Sequence, residues 1–163
     1  MITPAYKSLL ELPEEDVTLL RAAGDVAPMA FNPVSKFQVG AAVRDVKGQI
    51  FVGTFLESSA LPLGVCAEPA ALLAAFSAGS RKLTTIAVVG GDPAADKLGV
   101  PITPCGGCRQ RIYDTTGGAA VNIRVLCSDL ALNKVLDVRI VDLLPFAFGW
   151  SALPPSLRHN EEN

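Results

Sequence analysis

The chain has 163 residues, of which 50% are hydrophobic and 18% are charged, and its formal net charge is −2. This composition excludes a disordered chain and is typical of one globular domain with room for a hydrophobic core. The near-neutral charge, without a cluster of lysine and arginine, argues against a long nucleic acid as partner and favours a small, roughly neutral ligand.

No targeting signal is visible in the sequence. The N-terminal stretch MITPAYKSLLELPEED has no apolar run of signal-peptide length. No stretch approaches the roughly 20 apolar residues that span a bilayer, so we expect no membrane association. We therefore expect a cytoplasmic protein, in which closely spaced cysteines more often indicate metal binding or catalysis than disulfides.

Periodicity and turn signals divide the chain into helices and strands. Pro13 followed by Glu14, Glu15 and Asp16 predicts a helix start, because carboxylates stabilise the positive end of the helix dipole. In chain order the pattern predicts a helix to residue 29, strands at 36–45 and 49–56, a helix at 66–77, a strand at 84–89, a helix at 105–115, and strands at 122–127 and 135–138 before a short helix to 144. This order indicates an α/β sheet covered by helices on its faces.

Three of the four cysteines lie in two short motifs, Cys66 in VCAEP and the pair Cys105 and Cys108 in PCGGC. A C-x-x-C pair lets two thiolates reach one metal ion, and Cys66 can complete a set of three. Catalytic zinc typically takes three protein ligands and leaves the fourth position open, whereas structural zinc takes four. The count therefore favours a catalytic zinc site.

The other candidate ligands are weaker. Cys127 lies in an apolar strand, where we expect a packed thiol. The single histidine, His159, stands in the polar tail RHNEEN, so we do not count it as a ligand. Both cysteine motifs fall at predicted helix N-termini, whose partial positive charge and free N–H groups offset the negative charge of three thiolates.

Glu68 follows Cys66 by two residues in an otherwise apolar run. A carboxylate is costly to bury without a partner, and the bland interpretation is an exposed helix face or a partner for the helix dipole. Beside an open zinc site the carboxylate gains a use, because zinc lowers the pKa of its water toward 7 and a nearby base can carry the proton.

Three other interpretations of the cysteines stay open at this point. The C-x-x-C pair resembles a redox pair, although that leaves the third cysteine and Glu68 unexplained. A cluster of core cysteines by coincidence is a second possibility. The third is a non-catalytic protein in which zinc only fastens two helix ends, and Glu68 discriminates this protein from an enzyme.

Four motifs follow one another along the chain: KFQVGAAV at 36–43, C-A-E at 66–68, PCGGCRQ at 104–110 and LLPFAFG at 143–149. Together they resemble the zinc-dependent cytidine deaminases of the small homotetrameric type, over roughly residues 14 to 150. The resemblance implies a cytidine-deaminase-like three-layer α/β/α sandwich with a central mixed five-stranded sheet. We expect a single domain over 1–153 and a flexible tail over 154–163.

The resemblance also assigns the chemistry. It implies that Cys66, Cys105 and Cys108 bind Zn²⁺, and that Glu68 carries protons from the activated water to the ring nitrogen and then to the departing ammonia. The implied enzyme is a hydrolase acting on the C–N bond of a cyclic amidine. Its expected assembly is a homotetramer, with a dimer as the alternative.

A second set of residues matches the substrate contacts of that family. Glu57 matches the ribose-binding glutamate, and Phe37 matches an aromatic residue that lines the substrate pocket. Phe55 and Ala67 belong to the same expected set. Phe148 matches a phenylalanine that reaches a pocket of a neighbouring subunit. Ordinary core packing is the alternative for both Phe37 and Phe148.

The sequence departs from the family pattern near the sugar and near the metal. Phe55 stands where the family has an asparagine that bonds the sugar hydroxyl, and Ser58 and Leu61 replace an asparagine and a tyrosine. Pro69 replaces an arginine that moderates the charge of the thiolates. One hypothesis is that Arg109 supplies part of the missing positive charge.

These departures leave the exact substrate open. We expect a deaminase of cytidine, deoxycytidine or a related aminopyrimidine nucleoside. Blasticidin S deaminases also lack the arginine and carry a tryptophan near the C-terminus, as Trp150 does here. A blasticidin S-type or modified-cytidine deaminase with an altered sugar pocket is therefore the alternative enzyme.

Overall fold

The computed structural model describes residues 6–95 and 99–154. Its strands are β1 (Tyr6–Lys7), β2 (Gln38–Asp45), β3 (Ile50–Thr54), β4 (Leu83–Gly91), β5 (Arg124–Ser128) and β6 (Val135–Arg139). Its α-helices are α1 (Glu14–Val26), α2 (Ala67–Ser77), α3 (Gly106–Thr115), α4 (Gly118–Val121) and α5 (Ile140–Leu143). Each helix and strand predicted from the sequence is present, with ends close to those predicted. The proposed tail begins at residue 154, and residues 155–163 lie outside the described residues.

The strands form one mixed sheet in the order β1-β6-β5-β4-β2-β3. Only the central pair, β4 and β5, is parallel; the other described pairs are antiparallel. The predicted count of five strands is wrong, because the sheet has a sixth, β1, which pairs with β6. A strand of two residues is too short to show the alternation of apolar and polar residues that identifies a strand in a sequence.

Alternate residues of the central strands face two separate apolar cores. Ala41 and Val43 of β2 belong to the core that also contains residues of α2, α3 and α5. Ala42, between them, belongs to the opposite core, which contains Leu19 and Leu20 of α1. Because successive side chains of a strand point to opposite faces, these two cores place helices on both sides of the sheet. The α/β/α layering expected from the sequence is confirmed.

Gly53 sets how closely α2 lies against the sheet. A Cβ atom at this position of β3 would lie 2.2 Å from the backbone nitrogen of Ala71 and 2.6 Å from the carbonyl oxygen of Ala67. Only glycine leaves room for this approach of helix and strand backbones. The start of α2, which carries Cys66 and Glu68, is therefore held directly against β3.

Ion pairs fasten α1 and β1 to one end of the sheet. Asp16 of α1 is fully buried and accepts hydrogen bonds from Arg44 and Arg124, each at 2.8 Å. Arg124 also pairs with Asp137 of β6, which in turn pairs with Lys7 of β1. Among the described residues, no helix is long and apolar enough to cross a membrane.

Candidate metal centre and active site

The candidate site lies at the opposite end of the strands from these ion pairs. There β2 begins and β3 and β4 end, since Gly40 pairs with Thr54 and Gln38 pairs with Gly91. Helices α2 and α3 both begin with a cysteine as N-cap: Cys66 precedes α2 and Cys105 precedes α3. The two helix N-termini predicted from the cysteine motifs are thus confirmed.

The sulfur atoms of Cys66, Cys105 and Cys108 lie within 4.8 Å of one another. Of these residues, Cys108 is buried, Cys66 is half-buried and Cys105 is exposed. Sulfur ligands placed ~2.3 Å from a tetrahedral zinc ion lie ~3.8 Å apart, so sulfur atoms this close together are compatible with one shared zinc ion. The three cysteines can therefore hold a zinc ion, and three protein ligands leave one position open.

The environment of the cluster favours thiolate at Cys66. A hydrogen bond from Cys108 lowers the pKa of Cys66 to about 6, although burial and the nearby Glu68 carboxylate oppose this change. The positive charge of Arg111 also lowers the pKa of Cys66. A thiolate is the form of cysteine that binds metals, so the pocket prepares this residue for its role as ligand.

Glu68 stands in the first turn of α2, with only 4% of its surface exposed. Burial raises the pKa of its carboxyl, while hydrogen bonds from its own backbone N–H and from Cys108 act in the opposite direction. The contact with Cys108 places the carboxyl beside a predicted metal ligand. The interpretation of Glu68 as an exposed residue on a helix face is wrong.

Cys127 lies in β5 and is fully buried. Burial, with a smaller effect of the Glu68 charge, raises the pKa of its thiol to about 12, so the thiol stays protonated at neutral pH. It is not a member of the cluster of three. The prediction of a packed thiol is confirmed, whereas His159 lies outside the described residues.

Glu57 holds the loop that precedes β2. Its carboxylate accepts hydrogen bonds from the backbone N–H groups of Val34, at 2.8 Å, and Ser35, at 3.1 Å. Hydrogen bonding by Ser35 and Val34 lowers the pKa of Glu57, which keeps the carboxylate charged. Phe37, partly buried, ends this loop, so Glu57 fixes the backbone that leads to Phe37.

The other three expected substrate contacts occupy different surroundings. Phe55 directly follows β3 and is partly buried, and its backbone N–H donates to Val39 near the start of β2. Ala67, at the start of α2, is fully buried. Phe148 is 67% exposed, so core packing within its own chain does not account for it. Its carbonyl oxygen accepts a hydrogen bond from Gln110 of α3.

Arg109, for which we hypothesised a share of the missing positive charge, uses its guanidinium in three hydrogen bonds, and the hypothesis about its charge stays a prediction. The group donates to the carbonyl oxygens of Pro104 and Leu143 and to the hydroxyl of Thr103. The arginine whose charge acts on Cys66 is Arg111, which sequence reasoning missed. Its spacing of three residues from Cys108 along a helix is the signal that places both on one face.

Three cysteine sulfurs that leave one ligand position open, beside a buried carboxyl and at two helix N-termini, are typical of a zinc-dependent hydrolytic site. The family model for the cytidine and deoxycytidylate deaminase zinc-binding region matches residues 13–123. A cytidine deaminase of Mycobacterium tuberculosis is 34% identical over 149 residues, which cover 90% of this chain and all of the relative. One of Sporosarcina psychrophila is 38% identical over 120 residues, 74% of this chain and 81% of the relative.

Among solved structures, the cytidine deaminase of Burkholderia pseudomallei superposes with a TM-score of 0.71 at 33% identity, covering 84% of this chain and all of that chain. The family match covers the chain from α1 to α4 and includes Glu68 and the three clustered cysteines. The chain belongs to the cytidine and deoxycytidylate deaminase family, as the motifs indicated.

Proposed function

We propose that the protein is a zinc-dependent deaminase that converts cytidine or deoxycytidine to the uridine-type product. In this reaction water adds at C4 of the ring, the C4–N bond breaks, and ammonia leaves. The observation that carries the proposal is the burial of the Glu68 carboxyl beside three cysteine sulfurs that can bind one zinc ion. A purely structural metal site has no use for a carboxyl there.

Glu68 is the proton carrier of the proposed reaction. Zinc, when bound, supplies a water molecule activated for attack near neutral pH. The Glu68 carboxylate accepts the proton of that water and donates it to N3 of the ring, and it later carries a proton to the leaving amino group. Burial, which raises the pKa of Glu68, favours the protonated form that the donation to N3 requires.

The sugar side supports a second candidate, a deaminase of modified cytidines or of blasticidin S. The specific observation is Phe55, partly buried at the end of β3, in the place of a residue that would bond a sugar hydroxyl. The lowered pKa of Glu57 keeps its carboxylate charged, and Glu57 follows Phe55 by two residues beyond the end of β3. We therefore assign sugar binding to Glu57 and Phe37, beside an apolar surface at Phe55. Ala67 is fully buried in the apolar core, so we do not carry its expected substrate contact into this proposal.

We further propose a homotetramer in which Phe148 contacts the neighbouring subunit. Large apolar side chains are exposed on this chain, among them Leu61, Leu63, Phe146 and Phe148. Adjacent exposed apolar side chains mark surfaces that a partner covers, and Phe146 and Phe148 stand two residues apart in one segment. Phe148→Ala is expected to raise the KM for the nucleoside and to weaken association, and gel filtration and kinetics measure both.

The expected setting is the cytoplasm. The four described cysteines are all free, and the site needs three of them reduced. A reaction that turns a cytosine nucleoside into a uracil nucleoside belongs to pyrimidine salvage. Fractionation of cells that express the full chain tests the location.

Ammonia release from cytidine by the zinc-loaded protein, with the Glu68→Gln variant in parallel, tests the function. We expect release by the native protein and a loss of about 10²–10⁴-fold in the variant, which should still hold zinc. Release from blasticidin S alone would favour the second candidate. Zinc binding without turnover of any aminopyrimidine by either protein would favour the non-catalytic zinc protein.

A further inference from the structure

Cys105 differs from the other two metal ligands in how it is held. Cys108 is buried within α3 and Cys66 is half-buried, whereas Cys105 is an exposed residue. Burial among packed neighbours restricts the rotamers of a side chain, and an exposed side chain lacks that restriction. The position of the Cys105 sulfur therefore depends on how the backbone around it is fixed.

On the C-terminal side of Cys105, Gly106 and Gly107 form the start of α3. A Cβ atom at either position would have no neighbour within 4 Å, so neither residue packs a side chain beside Cys105. Glycine also makes a helical turn less stable than alanine does, because it loses more conformational freedom on folding. On the N-terminal side, by contrast, Pro104 is buried and has a fixed ring.

Arg109 fastens that N-terminal side. Its Nε donates to the carbonyl oxygen of Pro104 at 2.7 Å, and its Nη2 donates to the hydroxyl of Thr103 at 3.1 Å. Its Nη1 donates to the carbonyl oxygen of Leu143 at 3.0 Å, at the end of α5. One guanidinium group thus connects the two residues before Cys105 to Leu143, where the C-terminal segment, residues 143–154, begins.

We propose that Arg109 is the positioning residue for Cys105: its three hydrogen bonds hold the exposed ligand where it can share a metal ion with the other two cysteines. Outer residues that orient metal ligands typically contribute 10–100-fold to metal affinity. A lysine cannot replace this group, because an ammonium is a point charge and lacks the planar fork of donors that reaches three acceptors in three directions.

The rival explanation is that the metal site depends on the positive charge of the α3 arginines and not on the hydrogen-bond geometry of one of them. Arg111 separates the two explanations. It is exposed, it makes no bond to the loop before Cys105 in the described hydrogen-bond network, and its charge acts on Cys66. Arg109→Lys keeps the positive charge at position 109 and removes the guanidinium that makes the three hydrogen bonds. Arg111→Gln removes a positive charge and leaves the Arg109 guanidinium in place.

Zinc affinity, measured by competition with a chromophoric chelator under reducing conditions, tests the proposal. We expect Arg109→Lys to bind zinc about 10–100-fold more weakly than the native protein. Arg111→Gln should change the affinity by less than about threefold, because solvent screens an exposed charge. Native affinity in Arg109→Lys, or an equal loss in both variants, would overturn the proposal.

Gln110→Ala is the matched control for disturbance of the C-terminal segment. Gln110 donates to the carbonyl oxygen of Phe148 and to Asp114 but not to the loop before Cys105. This variant should keep native zinc affinity; a loss equal to that of Arg109→Lys would assign the effect to the segment and overturn the role of Arg109. The thermal unfolding of each zinc-free variant shows whether it is folded.

A second variant is available if Arg109→Lys does not fold. Thr103→Val removes one acceptor at an exposed position, and we expect zinc affinity to fall about 2–10-fold, as for the loss of one hydrogen bond. Unchanged affinity in that variant would overturn the proposal. The inference rests on the metal site of the proposed function, but it needs no turnover, so an inactive deaminase and a misassigned Arg109 give different results.

Discussion

The carboxylate of Asp16 and the guanidinium of Arg124 are 108 positions apart in the chain, and their Oδ2 and Nη1 atoms lie 2.8 Å apart in the fold. The other oxygen of Asp16 accepts from Arg44, also at 2.8 Å. A fully buried carboxylate that bonds two arginines joins α1 to β2 and β5. This network lies at the end of the strands away from the metal centre. We therefore expect it to contribute to the stability of the fold and not to zinc binding or catalysis.

Asp16→Asn should destabilise the fold strongly. The change leaves two guanidinium groups in a buried site with no carboxylate between them, and breaking a buried pair on one side typically costs about 3–5 kcal/mol. Urea unfolding of the zinc-free protein measures the loss. Glu15→Gln is the control. The carboxylate of Glu15 lies 3.6 Å from the guanidinium of Arg44, but the Glu15 side chain is 69% exposed, so losing this charge should cost less than about 1 kcal/mol. Equal losses would contradict the buried network.

Acid should destabilise the fold in part through Asp137. Burial disfavours the charged form of Asp137, but hydrogen bonds from Arg124 and Lys7 outweigh it and lower its pKa below the ordinary value of 3.8. Below about pH 5 the unfolded chain therefore takes up a proton that the folded protein does not. The resulting contribution to stability is complete above that pH and is lost as the pH falls through the lowered pKa.

Urea unfolding of the zinc-free protein between pH 7 and pH 3 tests this sign. Asp137→Asn should show a shallower fall in the free energy of unfolding below about pH 5 than the native protein. Removing zinc from both proteins separates this effect from the protonation of the cysteine ligands. Parallel curves would show that Asp137 has the same pKa in the folded and unfolded states.

Cysteines inside and outside the metal centre should differ in their effect on zinc binding. Cys105→Ala should lower bound zinc, measured by atomic absorption, from one ion per chain to a small fraction, and ammonia release should be lost with it. Cys127→Ala should keep one ion per chain, because Cys127 is buried in β5 and lies outside the cluster. Zinc lost equally from both variants would contradict the assignment of ligands.

Helices and strands of ordinary length followed from local patterns in the sequence. The acids after Pro13 gave the start of α1, and the cysteine motifs gave the starts of α2 and α3. Three ligands and one carboxyl could be selected because few residue types perform this chemistry and they stood at motif spacing.

What could not be predicted depends on contacts between distant parts of the chain. Asp16 has the local pattern of a dipole partner, and only the fold brings Arg124 to it. β1 has no periodicity to detect, and it is held by pairing with β6. The three acceptors of Arg109 include backbone carbonyl oxygens, and carbonyl groups carry no residue-specific signal in a sequence.

Gly53 is expected to tolerate no side chain. Gly53→Ala would press a Cβ atom against the backbone of α2, and overpacking of this kind typically costs about 1–3 kcal/mol or more. Because the same helix start carries Cys66 and Glu68, zinc affinity should fall as well. Gly24→Ala is the control: the nearest atom would be 3.8 Å away, in Val89, so the change should stabilise α1 by about 0.5–1 kcal/mol. Chemical unfolding and chelator competition measure both quantities.

Phe55→Asn should improve the binding of the sugar in the proposed reaction. An asparagine at the end of β3 can bond a sugar hydroxyl that phenylalanine cannot, and one such bond is worth about 0.5–1.5 kcal/mol, or about 2–10-fold in kcat/KM for cytidine. With 2′,3′-dideoxycytidine, which lacks the hydroxyl groups at both positions, the same variant should gain nothing.

Phe55→Leu is the matched control, because it shortens the side chain without adding a donor or an acceptor. It should change kcat/KM for cytidine and for the dideoxy substrate by the same factor. An equal gain of Phe55→Asn on both substrates would show that the side chain obstructs the pocket by its size. A gain restricted to cytidine would place position 55 beside the sugar hydroxyl, and would identify Phe55 as the residue that weakens selection of that hydroxyl in this chain.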